Sequence, residues 1–567
     1  MQAGTATGEG NDTLISIENA TGSIHDDTIT GNAAANVLNG FDGADTLDGG
    51  AGADTLAGGA GDDVYIVDAS DVIVEASGAG ADTIQTSVAI YTLATANVEN
   101  LSYSGGGNFT GTGNSSANVI TGGVGNDRLY GAGGVDTLIG GTGDDTYLVD
   151  VAGVVMTEVS GEGTDTVRSA ITWTLGANIE NLTLTGGAAT NGFGNAENNI
   201  ITGNAAANTL KGFGGDDTLD GGLGADTVSY TGASGAVTVN LQAGTATGEG
   251  NDTLISIENA TGSIQDDTIT GNASANILNG YDGADTLDGG AGADTLAGGV
   301  GNDVYIIDAS DVIVEAASAG TDEIQTNIAT YTITAANVEN LTYTGSSDFT
   351  GTGNALNNVI TGASGNDRLY GVSGADTLIG GLGNDTYLVA DAAVTLTEAS
   401  GEGADTVRSS VTLTLAANIE NLTLTGGAAT NGFGNVENNV ITGNAAANTL
   451  GGGLGADTLT GGLGNDTFVF DTATGGGNVD TITDFAAGAD KIRLDSTIFS
   501  ALGGAGVLGA GLFVSNTAAQ DGDDYLIYDS TTGALYYDDD GSGANGQVQI
   551  ATLTTGLTLS NTDFLVT

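Results

Sequence analysis

At 567 residues the chain is long enough for several ordinary domains, but its composition is narrow: 99 glycines, no proline or cysteine, and 7 Lys plus Arg against 71 Asp plus Glu, a formal charge of −64. That charge argues against nucleic acid or an anionic membrane surface as partner, no disulfide framework can form, and no apolar stretch approaches the roughly 20 residues of a membrane-spanning helix. Apolar residues still make up 40% of the chain, and the acidic residues recur at fixed spacing instead of gathering in tails. Disorder is therefore not the expectation. A compact form needs the charge neutralised, and bound cations are the only agent available in such number.

The chain opens on Met1-Gln2-Ala3-Gly4, with no basic segment followed by an apolar run and hence no visible secretory leader. Residues from Gln2 return almost unchanged from Gln242, without insertion or deletion up to Asp226 and Asp466. The reading is two long copies, 1–230 and 231–470, followed by a different tail, 471–567. Met1 stands where the second copy has Leu241, so the chain is expected to begin inside a repeat and to be a piece of something longer. A looser repeat lies inside each copy: GDDVYIVD at Gly61 reappears as GDDTYLVD at Gly143, and ANVENLSYSG at Ala96 as ANIENLTLTG at Ala177.

The finest period is nine residues. From Gly40 the chain reads GFDGADTLD, GGAGADTLA and GGAGDDVYI, which puts Asp45, Asp54 and Asp63 in phase, with Asp27 before them. Further arrays carry Asp127, Asp136 and Asp145, then Asp217 and Asp226. The second copy supplies Asp267, Asp285, Asp294 and Asp303, then Asp367, Asp376 and Asp385, then Asp457 and Asp466. Each nonapeptide predicts a six-residue turn and a three-residue strand. Glycine permits the positive φ of the turn, and the apolar residue two after the Asp (Leu47, Leu56, Tyr65) faces inward. Two nonapeptides make one flattened coil, and the absence of proline leaves every backbone N–H for the ladder. The expected fold is all-β: a parallel β-roll or β-solenoid with a C-terminal β cap. Segments between arrays, such as SDVIVEASGAGADTIQTSVAIYTL, read as longer β-coils that continue or flank it.

Stacked coils about 4.8 Å apart set like charges close enough to repel by roughly 1 kcal/mol in water and a few at intermediate dielectric. A hard dication with six to eight oxygen ligands turns that cost into attraction. Magnesium prefers a stricter octahedron, and zinc finds no cysteine and one histidine. In-phase neighbours make Asp54 and Asp294 mid-array positions, and Asp27 and Asp226 array ends. Asn36, Asn118, Asn199, Asn208, Asn276, Asn358, Asn439 and Asn448 occupy the Asp position of other turns and are expected to bind weakly or not at all. Asn100, Asn181, Asn340 and Asn421 of the Glu-Asn-Leu segments read as structural ladder residues. The alternative is a calcium-free solenoid whose Asp residues merely cap turns.

GGAGADTLA at Gly49 matches Gly-Gly-x-Gly-x-Asp-x-U-x at every fixed position, and the arrays throughout 22–471 resemble the RTX proteins, whose nonapeptide is a known calcium-binding parallel β-helix repeat. The resemblance implies multiple Ca2+ ions, held by turn carbonyls and by Asp carboxylates two repeats apart. Asp45 and Asp63 would then serve one edge and Asp54 the other, with Asp127 and Asp145, and Asp285 and Asp303, paired in the same way.

From about Asp471 the nonapeptide ceases. VDTITDFAAGADKIRLD at Val479 and YLIYDSTTGALYYDDDGSGANGQVQIATL at Tyr525 resemble the C-terminal region of serralysin-type secreted proteases. The ending Asp563-Phe564-Leu565-Val566-Thr567 resembles the terminus of type I secretion substrates. This implies export by type I secretion machinery through an uncleaved C-terminal signal; the plainer reading is a strand that caps the open end. Asp538-Asp539-Asp540 is either a separate acidic calcium turn or an exposed loop. A protease reading fails on the residues: there is no His-Glu-x-x-His, no Gly-x-Ser-x-Gly, and His25, the one histidine, is Gln265 in the second copy. Trp173 likewise becomes Leu413, so no repeated sugar platform exists. The expectation is a secreted, calcium-binding, non-enzymatic structural or adhesive module with cell-surface or matrix partners. Its rival is the non-catalytic C-terminal secretion and folding half of a larger RTX enzyme or toxin. An ice-binding face would need an unbroken outward Thr ladder, and Val37 and Val64 interrupt the one begun by Thr46 and Thr55.

Overall fold

The computed structural model describes residues 5–7, 11–13 and 15–567, with side chains from residue 15 onward; the rest of the first copy's opening lies outside the described residues. The described residues hold no α-helix, only short strands and three 3-10 turns. They form two compact units, 1–295 and 296–567.

In the first unit, strands pair in parallel with their successors one coil on. Thr28–Thr30 lies beside Thr46–Asp48, then Val64–Val67, Thr83–Thr86 and Asn100–Tyr103, in an eight-stranded sheet ending at Val155–Thr157. The alternate strands form a second sheet: Asn19–Thr21, Val37–Asp42, Thr55–Ala60 and Val72–Ile73. Two nonapeptides per coil is therefore the observed geometry. Register follows from the single inward residue of each strand: Leu47 is level with Ile29 and Tyr65, and Leu38 with Leu56. Leu38, Leu47, Leu56 and Tyr65 are fully buried. A slip of one residue would turn this whole apolar line outward.

The segments between arrays continue the same sheets. Thr83–Thr86 takes its place beside Val64–Val67 although its sequence matches no full nonapeptide, and Tyr103 stacks on Phe109 at 4.6 Å to fill the wider coil. Where the second copy begins, Thr238–Asn240, Thr245–Thr247 and Asn251–Ile255 form an antiparallel excursion, and Thr218 pairs directly with Thr253 across it.

The second unit repeats this plan and ends differently. Asp480–Ile482 and Lys491–Leu494 add one last coil to the two sheets. Val548–Thr552 then pairs with the first of these, and Phe564–Val566 with the second. Leu526–Asp529 and Ala534–Tyr537 extend the former as an antiparallel hairpin. The tail is thus a β cap that turns exposed solenoid edges into paired strands. Its final residues belong to the cap's core: Phe564 and Val566 are buried, Phe564 packs 5.0 Å from Phe513, and Asp563 accepts the Gly488 N–H at 2.8 Å.

Candidate metal centre

The nonapeptide turn makes the site. Gly50 and Gly52 hold φ of 83° and 143°, where a side chain would be strained. The first glycine of each repeat matters for a different reason. A Cβ on Gly40 would overlap Asp45 Oδ2 and stand 2.7 Å from the Gly58 carbonyl oxygen; on Gly122 it would meet Asp127 Oδ2 and the Gly140 carbonyl in the same way. Each such turn therefore encloses a hollow lined by a carboxylate oxygen and by a carbonyl of the next coil.

The carboxylates form rows along the coil edges, linked by one repeated hydrogen bond. The Asp27 N–H donates to Asp45 Oδ1 (2.7 Å), the Asp45 N–H to Asp63 Oδ1 (2.8 Å), the Asp63 N–H to Asp82 Oδ1 (2.9 Å), and the Asp82 N–H to Glu99 Oε2 (3.0 Å). A second row runs Phe109, Asp127, Asp145, Asp165, Glu180 with bonds of 2.7–2.8 Å. In the second unit the corresponding row is Phe349, Asp367, Asp385, Asp405, Glu420. Asp54 lies on the other edge, taking the Asn36 N–H and donating its own to Asp71. Its row neighbours are therefore Asn36 and Asp71, and Asp45 is the residue flanked by two repeat Asp residues. Stacking counts every second nonapeptide, so the mid-array position expected for Asp54 falls to Asp45.

The other Asp residues fall into place one by one. Asp136 stands with Asn118, Asp217 with Asn199 and Asp252, Asp226 with Asn208 and Glu258, Asp267 with Asp285, and Asp294 with Asn276. In the second unit Asp303 stands with Asp322, Asp376 with Asn358, Asp457 with Asn439 and Asp480, and Asp466 with Asn448 and Asp490. All of these predicted Asp residues are buried except Asp27, which is half-buried.

The Asn turns are closed by hydrogen bonds. Asn36 Oδ1 accepts the Asn32 N–H at 2.7 Å, and its Nδ2 donates to the Glu18 carbonyl at 2.6 Å. Asn118, Asn199, Asn208, Asn276, Asn358, Asn439 and Asn448 repeat this arrangement. The amide supplies the donor that a carboxylate lacks, so these turns satisfy themselves.

At Asp27, Asp267 and Asp367 the second oxygen accepts a backbone N–H of its own turn, from Ser23, Ser263 and Ala363, but at eleven other Asp turns it has no such partner. Oδ2 of Asp45, Asp54, Asp63, Asp127, Asp136, Asp145, Asp217, Asp226, Asp376, Asp385 and Asp457 is buried with no hydrogen bond. A buried carboxylate left so costs several kcal/mol in effective terms. The carboxyl groups respond as expected of crowded acids. Burial, and then neighbouring carboxylates, push Asp63, Asp82, Asp145, Asp165 and Asp385 up to about 6, and Asp217 to about 7. Burial likewise raises Asp45, Asp136 and Asp226. Unpaired carboxylate oxygens beside turn carbonyls, with no sulfur and no nitrogen ligand, are the donor set of a hard cation. The residues fit calcium.

Sequence reasoning passed over several row members. Asp82, Asp165, Asp322 and Asp405 sit in the rows although each lacks the leading glycine pair. The readable signal was the half-motif Gly-x-Asp, at Gly80-Ala81-Asp82, Gly163-Thr164-Asp165, Gly320-Thr321-Asp322 and Gly403-Ala404-Asp405. Glu99, Glu180, Glu339 and Glu420, from the repeated Glu-Asn-Leu, end the rows by accepting the next N–H. Asn100 and Asn421 in those segments bond to neighbouring coils through their amides, as ladder residues do. In the tail, Asp538, Asp539 and Asp540 bring their carboxylates together, with Asp540 Oδ2 also accepting the Ala544 N–H at 2.9 Å.

A parallel β-solenoid whose glycine turns present rows of half-satisfied, buried carboxylates is a cation-binding β-roll. The model of the RTX calcium-binding nonapeptide repeat (four copies) matches residues 21–56, 40–71, 112–147, 193–228, 257–287, 270–305, 352–387 and 433–468. The chain carries RTX calcium-binding nonapeptide repeats in both of its copies. The matches cover the nonapeptide arrays, and the coils between them lie outside most of the matched stretches while continuing the same sheets. No curated protein matches the chain.

Proposed function

We propose that the protein is an extracellular structural and adhesive module, exported unfolded and made rigid by calcium. The buried rows of unpaired Asp Oδ2 atoms carry this reading. In a compartment poor in free calcium these rows repel and the arrays stay open. Outside, each site with a dissociation constant of about 10⁻⁴–10⁻³ M, as in extracellular modules, contributes roughly 1.4 kcal/mol at tenfold excess. The ligands are the 18 predicted Asp residues, Asp27 through Asp466, together with turn carbonyls. The segment 471–567 serves as export address for type I machinery and as folding cap, and the partners are cell-surface or matrix components. The test is secretion from a host carrying a type I exporter, with protease digestion of the product. The reading expects export that depends on 471–567 and a product resistant to protease in millimolar calcium but degraded in chelator. Export without 471–567, or equal degradation in both conditions, contradicts it.

A further inference from the structure

Four turns differ from all the others. At interior turns the residue two after the Asp is apolar, as at Leu47 and Leu56, but after Asp63, Asp145, Asp303 and Asp385 it is Tyr65, Tyr147, Tyr305 and Tyr387. These tyrosines are fully buried. Each hydroxyl donates to a glutamate from the segment that follows the array: Glu75, Glu158, Glu315 and Glu398 respectively. At Tyr65, Tyr305 and Tyr387 the same hydroxyl accepts the N–H of the turn's first glycine, at 2.9 Å from Gly58 and Gly298 and 2.8 Å from Gly380. A Cβ on Gly58 would overlap Asp63 Oδ2 and the Tyr65 hydroxyl. The phenol oxygen thus stands where an interior turn presents the next coil's carbonyl.

The next coil adds a third carboxylate. Asp63, Glu75 and Asp82 bring carboxylate oxygens within 4.8 Å of one another, as do Asp145, Glu158 and Asp165; Asp303, Glu315 and Asp322; and Asp385, Glu398 and Asp405. Oxygens on one calcium lie about 2.4 Å from it, hence at most about 5 Å apart, so each trio can share a single ion. An independent observation points the same way. Oδ2 of Asp63, Asp82, Asp145 and Asp385 is buried without a partner on side chains at most 1% exposed. Glu158 and Glu398 each give one oxygen to the tyrosine and keep Oε2 buried and unpartnered. Asp165 continues the carboxylate row, but Glu158 comes from a segment with no nonapeptide and stands outside that row, so it does not belong to the turn-site pattern.

We propose that each of these four clusters is a cation site of its own kind, in which a glutamate beyond the array, held by the tyrosine, closes the last turn around one hard dication and ties the array to the wider coil that follows. Three carboxylates over one dication make it richer in charge than an interior turn, and the glutamate supplies what no nonapeptide contains. The inference rests on the calcium-binding reading but does not share its test.

Terbium provides that test in the full-length chain, because a lanthanide bound at a tyrosine hydroxyl emits when the tyrosine is excited. Wild type should show strong tyrosine-sensitised emission, displaced by calcium. The combined Glu75→Gln, Glu158→Gln, Glu315→Gln and Glu398→Gln variant should lose most of that emission and about four bound calcium ions per chain, while calcium still induces β-structure. Should that variant fail to fold, Glu158→Gln alone, with three clusters intact, should lose about one ion and a quarter of the emission. Tyr147→Phe should keep the ion, more weakly held, and lose the same share of emission. Unchanged stoichiometry and emission in a Glu158→Gln chain that still folds with calcium would overturn the proposal and leave calcium-driven folding standing. A wild-type chain that binds no calcium would instead remove the broader reading.

Discussion

Replacing Asp45 by Asn isolates what a row carboxylate contributes. Asp45 sits between Asp27 and Asp63, and its Oδ1 accepts the Asp27 N–H at 2.7 Å. The Asn carbonyl can keep that bond, so the substitution removes charge and one ligand oxygen while sparing the backbone link. Coils about 4.8 Å apart place each neighbouring carboxylate where repulsion is about 3.5 kcal/mol at an effective dielectric of 20 and under about 1 kcal/mol in water. The metal-free fold should therefore become more stable. The loaded fold should become less stable, because the ions shared with Asp27 and with Asp63 each lose a ligand. At tenfold excess calcium two such sites are worth about 3 kcal/mol together. The assay is urea unfolding over a calcium series, where the slope of stability against the logarithm of free calcium counts the ions taken up on folding. Asp45→Asn should lower that slope by one to two ions, while His25→Gln, at an exposed position that is already Gln265 in the second copy, leaves it unchanged. An Asp45→Asn chain with the wild-type slope and wild-type stability in calcium would refute the shared-ion geometry.

Three other outcomes follow from the same structure. Gly40→Ala puts a methyl group into the hollow between Asp45 Oδ2 and the Gly58 carbonyl, and a calcium titration should show a raised midpoint with no charge altered; an unmoved midpoint would mean that ions do not sit there. Because burial raises these carboxyl groups from the usual range near 4 to about 6 at Asp63, 7 at Asp217, 8 at Glu158 and 9 at Glu398, the metal-free fold holds protons that the unfolded chain releases. Its stability is greatest below about pH 4 and is lost as pH rises through about 6 to 9, so circular dichroism in chelator should show more β-structure at pH 5 than at pH 8, and the reverse order would contradict the burial of these groups. Deleting 561–567 removes Phe564 and Asp563 from the cap, so differential scanning should show cap melting at lower temperature; an unchanged profile would mean that these residues serve only as an address.

The repeat itself was plain in the sequence, because a nine-residue period fixes turn, strand and inward residue together. Leu47, Leu56 and Tyr65 face inward as their spacing requires. Other features needed the stacked coils. Which Asp residues are neighbours depends on two nonapeptides closing one coil, which moved the centre of a row from Asp54 to Asp45. Asp82 and Asp165 were hidden because the glycine pair had served as the marker, although only the Asp and the inward residue two positions on place a side chain in the row. Glu75 and Glu158 were hidden more deeply, since they reach the site through irregular segments whose length no period constrains. The Asn turns were read as weak sites for want of charge, and the structure shows what occupies the side chain there: the amide donates to a carbonyl of the neighbouring coil where a carboxylate cannot. The terminal strand was open in sequence between an export address and a capping strand, and the structure seats Phe564–Val566 in the cap with Phe564 and Val566 buried.

The central claim is that calcium makes the folded state, and far-ultraviolet circular dichroism of the full chain at pH 7.5 tests it most directly. Tens of carboxylates crowd the coil edges, and the unpartnered Oδ2 atoms are arranged to be satisfied together. The spectrum should be that of a disordered chain in chelator and of β-structure in millimolar calcium, with a steep transition between them and no comparable change in magnesium. A full β-spectrum in chelator at that pH, unaltered by added calcium, would mean that the turns close without ions and would contradict the account.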